Sequence, residues 1–494
     1  MNILRNMEQQ PGAFEGMDPF LEDVAEQIQY KPVRDEIKSE LAAHIEDRKA
    51  EYAGQGLEYD KAWEKALEDM GDAVEIGVRL NEAHRLQRNQ TVVALVMALA
   101  SIGIIGNIRL MLVENLGIWF SGLFYFLCGI TIFAIMYYNG YQRLVKNIKK
   151  INIIILAVLG VYLGLFFVQR QLYSVFSFRL TSMSIVFALE LLSIPAVLGM
   201  AYLNRNKRYR PFLLVTALTA AIVSIAAWLT GSYTLVSHLV LIIAVYAALL
   251  YMIVKGMLAG KPGRQVGWWI LSLGTVAAVF VLSFPGNWKY ELEQCFYPEK
   301  IVSDYWDDAY NSILIKDLLG KAVPVGTVPL SREERMGYYT DAWYFDDLDE
   351  FHYEYKMQFK DENNIMLEDI LPQHYQNNYR ITYWILKYGW LPAVVLLGII
   401  LAAYGMLVRM VSKVKNKMGK ILAFSCVLTL ILQTVFYFMG NMGYQFGWFC
   451  NFPFISEGFC SIITNMILVG LACSAYRYDR VVKEGKKGYM VSST

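Results

Sequence analysis

Few residues of this chain could do chemistry, and most of them lie in or beside long apolar runs. Glu190 stands in the middle of the run 183–203. An ionisable group at that depth in a membrane marks a functional site by default. It reads as a substrate or proton contact, or as half of a structural pair with a basic residue or a hydroxyl. Arg380 and Lys387 stand at the start of the run 381–408. A cation there either binds an anion at the membrane surface or snorkels to the headgroups, and snorkelling suits Lys387. Just ahead of them Glu368, Asp369 and His374 can accept protons, although solvated loop residues of these types are commonplace. His44, Glu46 and Asp47 form an imaginable metal cluster, but a lone His on a charged helix is ordinarily just exposed. No metal ligand set is expected, and six cysteines without a CxxC pair make neither a metal site nor a disulfide framework. Cys450 and Cys460 read as free thiols. Nothing resembles a Walker loop, Rossmann glycines, HExxH or GxSxG, which argues against an ATP-driven pump.

The elements that must position these residues follow from composition. Of 494 residues 56% are hydrophobic, 14% aromatic and only 18% charged, where soluble chains run to about a quarter charged. This composition describes an all-α polytopic membrane protein and excludes a soluble enzyme, a nucleic-acid binder and a disordered scaffold. The net charge of +1 hides a segregation: residues 1–90 balance at −9, residues 286–379 at −11 and the remainder at +21.

Crossing a bilayer takes about 20 apolar residues, which predicts ten spans. They fall near 91–108, 117–138, 151–169, 183–203, 211–230, 235–255, 266–285, 381–408, 420–440 and 459–476. Basic clusters follow every second one: Arg143 to Lys150, Arg205 to Arg210, Lys255 to Arg264, Arg409 to Lys420 and Arg477 to Lys487. Positive loops stay cytoplasmic, which puts both termini inside and the 286–379 loop outside. Residues 1–18 read as a flexible N-terminus and 19–88 as a small cytoplasmic helical domain, with Phe20, Val24, Ile28 and then Ile37, Leu41, Ile45 at helical spacing. Residues 89–285 carry the first seven spans, 286–380 a large extracellular loop, 381–476 the last three spans and 477–494 a basic tail. The loop far exceeds ordinary connections. Its aromatics, Tyr338, Tyr339, Trp343, Tyr344, Phe345, Phe351, Tyr353 and Tyr355, predict a partly folded cap rather than disorder.

Two segments carry a resemblance. From Asn451 to Asn465 the chain is similar to the C-terminal signature of the FtsW/RodA/SpoVE family, the SEDS glycosyltransferases, of the form PFxSYGGSS…N. Pro453, Phe454, Ser456, Gly458, Ser461 and Asn465 match in register, while Glu457, Phe459 and Cys460 depart from it. Leu371-Pro372 with Tyr379 to Trp390 resembles the family's LPxxxTDF segment, and Ser312 to Pro324 resembles the glycine-containing part of its outer loop. Pro195 and the basic run from Arg205 fit its fourth span and the following loop. The N-terminal domain resembles the permease-prefix domain. Together these stretches touch most of the chain, and the family layout is also ten spans with a large outer loop between the seventh and eighth.

The resemblance implies a role in peptidoglycan assembly during division, elongation or sporulation, with a lipid-linked disaccharide (lipid II) as substrate and a penicillin-binding transpeptidase as partner. Joining sugars from that donor needs a carboxylate to take the acceptor's proton, and cationic groups or a divalent cation to stabilise the departing pyrophosphate. At the family's aspartate this chain has Asn378, or Asn377 in the other register, and an amide is no base near neutral pH. Glu368 or Asp369 would have to serve as base and Arg380 as phosphate contact. A pseudoenzyme that scaffolds a wall synthase, or a lipid or solute transporter working through Glu190, are the alternatives.

Overall fold

The computed structural model describes residues 17–114, 119–172, 183–231, 235–284, 287–301, 308–344, 365–372, 375–447, 451–456, 458–481, 483–485 and 488–490. The chain divides into two compact units, Met1–Arg88 with Arg477–Thr494, and Asn89–Tyr476.

The smaller unit is built on α1 (Met17–Glu26), α2 (Arg34–Gly54), α3 (Tyr59–Met70) and α4 (Ala73–His84). Leu21, Val24 and Ile28 fall on one stripe and are buried, as are Ile37 and Ile45. Gly71 stops α3 at a positive φ of 82°, and the Asp72 carboxylate then caps α4 by accepting the Glu75 N–H at 2.8 Å. The basic tail, read from sequence as a separate segment, belongs to this unit. The Gln87 N–H donates to the Arg477 carbonyl at 3.0 Å, and Arg480 Nη1 donates to the Glu82 carbonyl at 2.9 Å. The tail also carries two three-residue strands, β1 (Lys483–Gly485) and β2 (Gly488–Met490), paired antiparallel in a chain that is otherwise helical.

The larger unit is a helical bundle. A backbone in lipid must close its own hydrogen bonds, which favours helices. Among the described residues eight helices are long and apolar enough to cross a membrane. In order, with the shorter apolar α5, the bundle helices are α5 (Gln90–Glu114), α6 (Trp119–Leu172), α7 (Met183–Leu203), α8 (Arg210–Thr230), α9 (Leu235–Val254) and α10 (Pro262–Ser283). After the cap come α16 (Trp390–Lys413), α17 (Lys417–Asn441) and α18 (Phe459–Arg477). At 1.5 Å per residue α6 is roughly 80 Å long against a hydrocarbon core of about 30 Å, so it holds two crossings. Its backbone leaves helical geometry at Asn147, among the basic residues. The second and third expected spans are therefore joined without a loop, because Tyr141 to Lys150 contain neither Gly nor Pro to end a helix. With α5, apolar over Gln90–Gly106, about ten crossings result. The buried centre is α7, α9, α17 and α18, while α6, α10 and α16 present most of their surface outward.

The eighth expected span is corrected. Residues 380–388 form a separate short helix, α15 (Arg380–Tyr388), and the crossing helix starts at Trp390. Pro392 has no N–H to offer the Tyr388 carbonyl, and that carbonyl instead accepts from the Gly326 N–H at 3.0 Å. Gly389 turns the chain at φ 93°, where a Cβ would lie 2.5 Å from the Pro324 carbonyl oxygen. Three more backbone bonds from 323–328 brace the junction: Val328 to Leu386 at 2.8 Å, Trp390 to Val323 at 3.1 Å and Leu391 to Pro324 at 2.9 Å.

The cap contains α11 (Asn287–Phe296), α12 (Asp308–Lys321), α13 (Arg332–Tyr344) and the single turn α14 (Leu367–Ile370). It is seated on the segment after α17. The Glu291 carboxylate accepts the Gly447 N–H at 2.8 Å, and Lys316 stands 4.3 Å over the Tyr444 ring. The aromatics Phe345, Phe351, Tyr353 and Tyr355 lie outside the described residues.

Candidate functional site

Where α15, α17 and the 451–456 turn meet, the two segments singled out in sequence are tied together through Arg380. This side chain is buried, with 1% of its surface exposed. Its Nε donates to the Gln376 carbonyl at 2.6 Å and its Nη1 to the Ile455 carbonyl at 2.5 Å, so one guanidinium joins the Leu371–Arg380 segment to the Asn451–Ser456 segment. Those carbonyls orient the guanidinium. On the other side α17 supplies a ladder at four-residue spacing. The Tyr437 hydroxyl donates to the Asn377 carbonyl at 2.7 Å, and Asn441 Nδ2 donates to the Asn378 carbonyl at 2.9 Å. Asn441 Oδ1 accepts the first N–H groups of α15, from Ile381 at 3.0 Å and Thr382 at 3.1 Å. That arrangement satisfies a buried helix start that has no cap of its own. The Tyr379 hydroxyl donates to Gln445 Oε1 at 2.6 Å.

The C-terminal signature forms a tight turn against this frame. Ser456 Oγ accepts the Phe452 N–H at 2.8 Å, the Phe452 ring stacks on Tyr437 at 4.9 Å, and Pro453 is buried between them in sequence. Phe454 adopts φ 70°, a conformation uncommon outside glycine. Gly103 of α5 admits the turn, because a Cβ there would lie 2.5 Å from the Phe454 carbonyl oxygen. Gly458, at φ 144°, leads into α18. Ser461 and Asn465 lie farther along that helix, where Asn465 Oδ1 accepts from Gln433 Nε2 of α17 at 3.0 Å, one turn before Tyr437.

The described carboxylates near the site, Glu368 and Asp369, are already committed. Asp369 accepts the Met366 N–H at 2.8 Å and so caps α14. Glu368 Oε1 accepts from Lys387 Nζ at 2.7 Å and from the Tyr383 hydroxyl at 3.0 Å. Burial opposes the ionisation of Glu368, but Lys387, its own backbone N–H and Tyr383 outweigh that and hold the carboxyl below its usual range. Lys387 therefore pairs within the protein instead of snorkelling. His374 and Glu457 lie outside the described residues. Among those described, no group of three or more His, Cys, Asp or Glu side chains converges as a metal site would require.

Glu190 is held in a cluster of its own on α7, with Ser237 and His238 of α9. Sequence reading missed His238, Tyr437, Asn441 and Gln445. Their signal was present, as a histidine inside a span and a polar residue on every fourth position of 433–441.

The fold and the site thus define a multi-pass, all-α membrane protein with a polar knot at the cap end of its bundle. In fold the chain is similar to a chain from a peptidoglycan synthase complex solved for its coordination of polymerization and crosslinking. The TM-score is 0.52 at 14% identity, over 79% of this chain and 98% of that one. No family model matches the sequence, and no curated protein matches it.

Proposed function

We propose that this protein works in peptidoglycan assembly at the outer face of a bacterial plasma membrane, with both termini cytoplasmic, as a divergent SEDS-type protein. In this reading it engages a lipid-linked disaccharide without polymerising it, and it acts beside a transpeptidase of the penicillin-binding kind. The observation that carries the reading is Arg380, which ties the LPxxxTDF-like segment to the PFxS-like turn at one end of the bundle. The similarity in fold to a peptidoglycan synthase chain supports the same setting.

The groups present among the described residues support a reading without polymerisation. Transfer needs a base beside the acceptor hydroxyl. Asn378 offers an amide, Asp369 is spent on a helix cap, and Glu368 is neutralised by Lys387. Arg380, buried in the site, serves by holding the two segments together.

Full-length protein in lipid nanodiscs, given labelled lipid II, tests both halves. The expected result is retained lipid that resists wash-out, with no glycan product. Replacing Asn378 by Asp then restores the missing base, and product appears. Product from the unaltered protein, abolished by Glu368→Gln, would make Glu368 the base and the protein a polymerase. Failure to retain lipid II above the level of a plain phospholipid removes the wall-assembly reading.

A further inference from the structure

One helix of the cap turns an apolar row outward. On α11 the residues Trp288, Leu292 and Phe296 recur at four-residue spacing, which puts them within about 80° of arc. Leu292 is 47% exposed, Phe296 55% and the following Tyr297 53%. The opposite face of the helix is held by the protein. Gln294 and Cys295 are buried there, and the Glu291 carboxylate accepts the Gly447 N–H. The direction in which the row points is therefore fixed by packing. A contiguous apolar row on a surface marks a contact with another protein or with a membrane.

What adjoins the row decides between those two. α10 is a membrane-crossing helix, and its last turn exposes Val281 and Leu282, the latter by 77%. Around side chains of that kind at the end of a crossing helix stands lipid. α11 begins four residues beyond the end of α10, and its first aromatic folds back on that end. Trp288 Nε1 donates to the Val281 carbonyl at 3.2 Å, and the ring packs on Phe280 at 4.9 Å and on Phe284 at 6.3 Å. The row on α11 thus starts where the lipid-facing surface of α10 stops, and the two surfaces are continuous. This is the headgroup level, where Trp and Tyr are enriched. The charges stand to one side. Lys289, 83% exposed, and Glu293 occupy the next row round the helix with Nζ and Oε1 3.9 Å apart, and Lys300 lies 4.3 Å over the Tyr297 ring. A helix with Trp, Leu and Phe on one face and charges beside them lies in the plane of the interface.

We infer that α11 is an interfacial helix, docked on the phospholipid surface at the cap end of the bundle through Trp288, Leu292 and Phe296. The inference is independent of any role in wall assembly. A short chain of bonds connects the docked helix to the Arg380 frame. Glu291 holds Gly447, the Gly447 carbonyl accepts from Gln445 Nε2 at 3.2 Å, and Gln445 Oε1 accepts from the Tyr379 hydroxyl. The depth at which α11 rests in the leaflet is thereby tied to the residue preceding Arg380.

The test is photolabelling of the full-length protein in phosphatidylcholine nanodiscs, read by peptide mass spectrometry. Two lipid probes are used in separate samples, one with a diazirine close to the glycerol and one with it at the acyl end. Leu282 is the internal standard for lipid contact. The expected result is that the shallow probe labels Leu292 and Phe296 as strongly as Leu282, and that their labelling is lost with the deep probe. Labelling of Leu282 without Leu292 and Phe296 overturns the proposal, because the row then faces water, another protein or a second copy of this chain. Equal labelling of the row by both probes overturns it as well, because α11 would then be sunk in the hydrocarbon instead of resting on its surface.

Discussion

Two buried charged sites in one bundle are held in opposite ways. Arg380 is surrounded by the ends of things: a carbonyl from each of two loops, the start of α15 and the last turns of α17. The two carbonyls fix the orientation of its guanidinium. Glu190 sits between two regular helices beside another ionisable group, with His238 Nδ1 3.1 Å from its Oε1. A site made of helix ends is rich in backbone donors and acceptors and can serve an anionic ligand. A site made of helix middles has only side chains to offer, because the backbone groups there are already paired within each helix.

The sharpest way to break the comparison is to unpair the second site. Replacing His238 with Ala should leave a buried carboxyl without its partner and destabilise the bundle by about 3–5 kcal/mol, read as unfolding in detergent with increasing denaturant. Adding Glu190→Gln to that variant should recover most of the loss. Equal instability of the single and double variants would mean that the pair is not a unit. Next comes Arg380→Met, which leaves the Gln376 and Ile455 carbonyls unpaired at about 3 kcal/mol in total. Its loss should appear as protease cutting within 371–380 and 451–456 together, and cutting at one segment alone would deny that the guanidinium joins them.

Asn441→Ala removes the acceptor that begins α15 and the donor to the Asn378 carbonyl, and about 2 kcal/mol should go with it. Amide exchange at Ile381 and Thr382 reports this directly, and unchanged protection there would contradict the assigned role. The smallest effect belongs to Glu368→Gln. The Lys387 and Glu368 side chains are 31% and 14% exposed, which limits their pair to about 1 kcal/mol. Because the folded carboxyl is held below its usual range, this stabilisation is full above the unfolded carboxyl's pKa near 4.3. It is lost as pH falls through the lower folded value. Glu368→Gln should therefore flatten the stability profile below about pH 4 and leave the neutral region lowered by a constant amount.

Composition and the spacing of apolar runs already declared the architecture, because a lipid-facing backbone has almost no choice but the helix. Motif resemblance singled out the Leu371–Arg380 and Asn451–Asn465 segments, but that Arg380 reaches the Ile455 carbonyl was for the folded chain to decide. What periodicity misjudged was continuity. The step from α15 to α16 hides inside one apolar run, and it exists because Pro392 lacks a donor and the distant 323–328 segment provides the missing bonds. The opposite error separated spans two and three, where a charged stretch without Gly or Pro stays helical and joins them. Glu190 could be flagged from one letter in an apolar run, yet its partner is 48 positions away by numbering and at hydrogen-bonding range in space, 3.1 Å. Burial cost depends on residue type and can be read along a chain. The relief of that cost depends on which distant atoms come within about 3 Å, and only the packed bundle decides that.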